Sequence, residues 1–288
     1  MTIKIINTIK GYRDMLKKDF SLRQEYLENE LMKDFKAMFE MLGMPMNQIL
    51  SSFLPVSESE ETYNHYLHVL EQEDVEAMCL DALEKSALAC SKKGIQVPEQ
   101  ITFGIYLGNP NALAHSEGYT GFGGIPGYIQ MVIAPTSENL IKLPAAVCHE
   151  FHHNCMFLIK PFNPMTITLG EYLLYEGMAE NFAEEMYGES MVGPWVTRVS
   201  EADCKLSKSL IAPALELQGF QSVMPYIFGG QPVTDSEGNS VIMPPTGGYA
   251  IGYYIVKAYR QRTGLSTLDA MTKSCHEIIE KSCYFDNE

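Results

Sequence analysis

No stretch of about 18 consecutive apolar residues occurs in the chain, so none is expected to cross a membrane as a helix. Basic residues are in short supply. The 21 Lys and Arg against 36 Asp and Glu leave a net charge of −15, a field that repels phosphate backbones. No basic patch with interleaved aromatics offsets it, so nucleic acid is not an expected partner. The opening MTIKIINTIKGYRDMLKKDF lacks the continuous apolar segment of a signal peptide, its apolar residues being broken by Lys, Asn and Arg. Paired cysteine spacing is missing too. Seven cysteines, scattered and odd in number, fit reduced thiols in the cytoplasm better than a disulfide framework. Low-complexity tracts and internal repeats are absent.

What is present is the composition of an ordinary globular protein, 46% hydrophobic and 20% charged over 288 residues, long enough for a sizeable core. From about residue 12 to 93 apolar residues recur at three- and four-residue spacing in two helical stretches that each close on Gly, with SSFLPVSESEE as a loop between them. Ile101–Leu107 and Gly127–Ile133 are rich in β-formers and predict strands. The cluster GYTGFGGIPG between them misses the spacing of a nucleotide-binding loop and reads as a turn or flexible rim. A helix is predicted from about Pro144 to Ile159, with Pro161 just past its end, and another from Thr168 to Glu185 or Met186, stopped by Gly188. Residues 229–248 read as a turn-rich surface excursion; Tyr249–Arg262 resumes helical spacing, and a short helix closes the chain.

Residues 145–157, AAVCHEFHHNCMF, hold H-E-x-x-H as His149-Glu150-Phe151-His152-His153. On a helix, residues four apart lie one turn above each other, so His149 and His153 can present ring nitrogens to one metal ion, with Glu150 beside the position for a reactive water. Zinc sites of this kind need a third protein ligand, and H-x-x-G-x-x-H does not continue after His153. An acid from TLGEYLLYEGMAENFAEEMYG is the expected source. Glu171 is accounted for by a capping box with Thr168, and Glu184, Glu185 and Glu189 by solvation at a helix end. Glu176 and Glu180 remain, four apart and on a face with the small Ala179 and Ala183. Such a pair can divide the work, Glu176 binding metal and Glu180 accepting a hydrogen bond from the far nitrogen of a ligand His. The bland alternative makes both ordinary surface acids.

The HEFHH stretch, the EGMAE segment and the later GYAIGYYIVKAY together resemble the YjaZ-like group of predicted zinc-dependent proteases, of the gluzincin type. The similarity covers about residues 100–262. It implies that the third ligand is the Glu of an E-G-x-A segment on the helix after H-E-x-x-H, which falls on Glu176. It also makes GYAIGY a candidate source of an oxyanion donor, Tyr253 or Tyr249, with aromatic core packing as the alternative. The 22 residues between His153 and Glu176 exceed the gap in the best-known gluzincins, so the loop KPFNPMTI must differ.

Other residues weigh less. His152 points about 100° from its neighbours' face and reads as packed or hydrogen-bonded. Cys148 and Cys155 read as small core residues. His65, His68, His115 and His276 have no partner at ligand spacing. Glu150-x-x-His153 is also half of a di-iron bundle site, but the second E-x-x-H is missing.

The expected fold is therefore α+β and mostly helical: a helical N-terminal region over residues 1–96, then a zincin-like catalytic region over 97–288 with a small sheet, the H-E-x-x-H helix, the Glu-ligand helix and a helical C-terminal part. The expected activity is zinc-dependent hydrolysis of a peptide or protein substrate with Glu150 as general base. Gly127–Ile133, as an edge strand, would pair with extended substrate. The alternatives are an inactive or regulatory zinc-binding protein and a zinc hydrolase of a non-peptide amide.

Overall fold

The computed structural model describes residues 1–286. Its sheet has four strands in the order β1-β2-β4-β3: β1 (Thr2–Ile5), β2 (Gln100–Leu107), β3 (Tyr119–Phe122) and β4 (Tyr128–Ile133). Strand β2 pairs in parallel with β1 and β4, and β3 runs antiparallel to β4. The continuous run ITFGIYL suits the centre, and all of Ile101–Leu107 is buried. Strand β1 was not foreseen. Its four residues alternate exposed and half-buried, too short a period-two signal to separate from the polar residues around it.

Two expectations for this region are corrected. The glycine cluster is not all turn: its first part is β3, with Gly121 opposite Met131 and Phe122 opposite Gln130. Gly127–Ile133 supplies β4, which is interior, flanked by β2 and β3, so it cannot take substrate as an edge. The edge on that side is β3.

Successive side chains on a strand point to opposite faces. Tyr106 and Tyr128 share one face, where the Phe35 ring stands 5.8 and 6.0 Å from theirs, so the N-terminal helical region covers it. That region includes α1 (Thr8–Leu16), α2 (Glu60–Gln72) and α3 (Val75–Lys92). The other face carries Gly121 and Met131 and meets α4 (Leu143–Ile159).

Helix α5 (Leu169–Tyr187) starts at Thr168, whose hydroxyl accepts from Glu171 N while Glu171 reaches back to Thr168 N, and stops at Gly188. Helix α6 (Gly247–Thr263) crosses α5 where Gly177 meets Gly252: a Cβ on Gly177 would lie 2.1 Å from the Gly252 carbonyl oxygen. The crossing is fastened by Asn181, whose amide donates to Gly177 O and Tyr253 O. Residues 229–248 include a two-stranded hairpin, β5 (Pro232–Thr234) with β6 (Ser240–Ile242), exposed except at Val233 and Val241, and α7 (Cys275–Ser282) follows α6.

The described chain is mostly helical with a small mixed sheet, and no helix in it is long and apolar enough to cross a membrane. It packs as two compact units, residues 1–91 with 96–155, and residues 92–95 with the chain from Met156 onward. Helix α4 begins in the first and ends in the second.

Candidate metal centre

His149 and His153 fall one turn apart on α4, and their Nε2 atoms face each other at 3.1 Å. Two nitrogens each about 2.0–2.1 Å from a tetrahedral zinc would be about 3.3 Å apart, so the rings already stand at ligand spacing. Glu176, from α5, joins them. Ligand atoms of His149, His153 and Glu176 all lie within 4.8 Å of one another, and all three residues are buried. Among the described residues this is the one group of three or more His, Cys, Asp and Glu so arranged. Two imidazoles and a carboxylate are a donor set that zinc accepts, leaving one position for water.

Glu150 lies beside β3. A Cβ on Gly121 would fall 2.5 Å from Glu150 Oε1, and one on Gly123 would fall 2.2 Å from the Glu150 carbonyl oxygen. Both glycines are therefore there to let the edge strand and its following turn lie against the helix at the carboxylate. Asn154, one turn beyond Glu150 and fully buried, ties the same turn to α4. Sequence reading passed over it because its partners are 26–31 positions away.

Glu180 is buried, and its carboxylate accepts from Gly193 N at 2.5 Å and from Trp195 Nε1 at 2.8 Å. The surface-acid alternative therefore fails for it, and for the buried Glu176. Trp195, which sequence reading missed, lies in a single helical turn, Pro194–Thr197, and its ring stands 6.4 Å from that of Tyr249. Tyr253 is placed differently. Its hydroxyl accepts from Lys257 Nζ at 2.8 Å and hydrogen-bonds with Glu184, and burial pushes its pKa up to about 12. Glu184 and Glu185 are not merely solvated, as expected from sequence: Glu184 pairs with Lys257 and Arg260, and Glu185 with Arg260.

His152 is fully buried, its ring 6.3 Å from that of His153. Cys148 and Cys155 are fully buried core residues; the Cys155 thiol is held protonated well above the usual range by a hydrogen bond with Cys90 and by burial.

A buried two-histidine, one-glutamate centre with an adjacent acid on the same helix defines a metal-site class. Comparison with known proteins places the chain within it more narrowly. Residues 61–280 match the family described as "Predicted Zn-dependent protease (DUF2268)", and the chain belongs to that family. It is 29% identical over 298 aligned residues to the uncharacterized protein YjfC of Bacillus subtilis (strain 168), covering 99% of each chain. With YjaZ of the same organism it shares 27% identity over 140 residues, 48% of this chain and 50% of that one. No solved structure matches it.

Proposed function

We propose that the protein is a zinc-dependent peptidase with a zincin-like catalytic core. The observation that carries this reading is the buried His149, His153 and Glu176 group with the Glu150 carboxylate set against the backbone of an edge strand. The two ring nitrogens and the Glu176 carboxylate would hold the ion. Bound zinc supplies a Lewis acid that polarises the scissile carbonyl and makes water a nucleophile near neutral pH.

The rest is done by the chain. Glu150 accepts the proton of the attacking water and returns it to the leaving amine. Strand β3 offers the unpaired side of its backbone, so an extended peptide pairs with it and passes the Glu150 carboxylate at Gly121. Glu180 secures Gly193 and Trp195, and Trp195 supports Tyr249. The Tyr253 hydroxyl is engaged by Lys257 and Glu184, and the oxyanion role is assigned to Tyr249, whose ring stands by Trp195. An inactive, purely structural zinc site would have no use for Glu150 on the ligand helix. The cytosolic reading of the cysteines is retained.

The test is cleavage of a mixed peptide library by zinc-loaded and chelator-stripped protein, followed by mass spectrometry. Peptide-bond cleavage that is lost with the metal and restored by zinc supports the reading. Zinc binding without cleavage of any peptide would turn it toward a non-peptide amide or a regulatory protein.

A further inference from the structure

The Asn154 side chain makes contacts of a kind that a helix-interior asparagine seldom makes. Its Nδ2 donates to Gly123 O at 2.8 Å and to Tyr128 O at 3.0 Å, and its Oδ1 accepts from Gly127 N at 2.7 Å. A longer 3.4 Å contact reaches Glu150 O, one turn back on α4. Gly123, Gly127 and Tyr128 bound the connection from β3 to β4. One amide therefore closes both ends of that connection onto the helix that carries Glu150. The requirement is for two donors and an acceptor in one planar group, which asparagine has and aspartate lacks.

The same stretch touches Glu150 directly, since Gly121 and Gly123 have no room for a Cβ against its carboxylate and carbonyl. Strand β3 is held on one side only by β4, so its position relative to α4 depends on how its end is fastened. We infer that Asn154 is a positioning residue: it fixes the register of the edge strand against Glu150, so that a peptide paired with β3 presents its scissile bond to that carboxylate. Asn154 touches neither substrate nor metal in this role and acts through the backbone of residues 121–127. The inference rests on the peptidase reading, and specifically on β3 as the strand that pairs with substrate.

The test uses the full-length zinc-loaded protein with Asn154→Asp, which keeps the shape but removes the donors, and Asn154→Ser, which carries no buried charge. Zinc per chain is measured by elemental analysis and backbone exchange by hydrogen–deuterium mass spectrometry. Turnover is measured on two substrates, an extended peptide long enough to lie along β3 and a blocked dipeptide too short to do so. The expected result is one zinc per chain, exchange over residues 121–127 accelerated about tenfold or more, and kcat/KM on the extended peptide down about 10²-fold with a much smaller loss on the dipeptide. A general structural defect would lower both substrates alike.

Unchanged exchange in both variants, equal losses on the two substrates, or failure of both variants to fold and hold zinc would overturn the inference. Absence of any cleavage by the wild type would defeat the peptidase reading and this inference with it. Wild-type cleavage with normal variants defeats the inference alone.

Discussion

Replacing Glu180 by Gln removes one negative charge from a buried carboxylate that holds two N–H donors, Gly193 N and Trp195 Nε1. Glutamine keeps one oxygen, so one donor retains a neutral acceptor, while the new NH2 group faces the other donor with nothing to accept its hydrogen. Losing one charge-assisted bond, weakening the second and stranding a buried donor together cost about 3–5 kcal/mol. For a chain of this length each kcal/mol lowers Tm by roughly 2–3 °C, so the expected drop is about 6–15 °C. Trp195 is the single tryptophan, so its emission reports on this spot alone. It should shift to the red as the indole's charged acceptor is lost or becomes neutral and the turn loosens. The assay is thermal unfolding followed by that emission, with zinc per chain measured in parallel. Zinc should stay near one per chain, since Glu176 remains. A Tm within 1–2 °C of wild type together with unchanged emission would refute the reasoning, because on these contacts such a loss has no place to hide.

Four further outcomes are expected. On the proposed zinc site, His149→Ala and Glu176→Ala should each lose the metal by elemental analysis, each removing one member of the buried three-residue group. Tyr249→Phe should lower kcat by about 10²–10³ with KM nearly unchanged, as for loss of an oxyanion donor, whereas Tyr253→Phe should leave kcat close to wild type in the same steady-state assay. Gly177→Ala forces a Cβ against the Gly252 carbonyl oxygen and should lower Tm by an amount equivalent to about 1–3 kcal/mol or more, measured by calorimetry. Burial pushes the hydroxyls of Tyr175 and Tyr253 up to about 12 from the ordinary 10.0, so their neutral forms contribute stability that is complete below pH 10 and lost as the pH rises toward 12. Denaturant midpoints measured over that range should fall, and fall less in Tyr253→Phe.

What the sequence disclosed of this architecture follows the range of the interactions. Helices α4 and α5 were readable because their signals are local. His149 and His153 are four apart, Thr168 and Glu171 cap each other, and Gly188 ends α5. Strand β3 was hidden inside a glycine cluster because Gly121 within it and Gly123 just after it answer to a partner elsewhere in the chain, Glu150, and not to turn geometry. Position of a strand in a sheet is likewise nonlocal, so the apolar run of β4 gave no sign that β3 would lie outside it. The placing of Glu176 with the two histidines was anticipated from family resemblance joined to spacing, but the donors of Glu180 lie 13 and 15 positions on, in a turn that no periodicity marks. The ion pairs of Glu184 and Glu185 with Arg260 were invisible for the same reason. Residues 96–155 group with residues 1–91 through contacts distant in sequence, which local periodicity does not register.

The central claim is that Glu150 moves the proton while other residues hold the metal, and the most direct measurement is kcat for Glu150→Gln on any peptide the wild type cleaves, with zinc per chain determined on the same sample. The amide is close to isosteric with the carboxylate and leaves His149, His153 and Glu176 in place, but it cannot accept the proton of water. The account predicts one zinc per chain and a fall in kcat of at least about 10²–10⁴. Wild-type turnover with zinc still bound would contradict it.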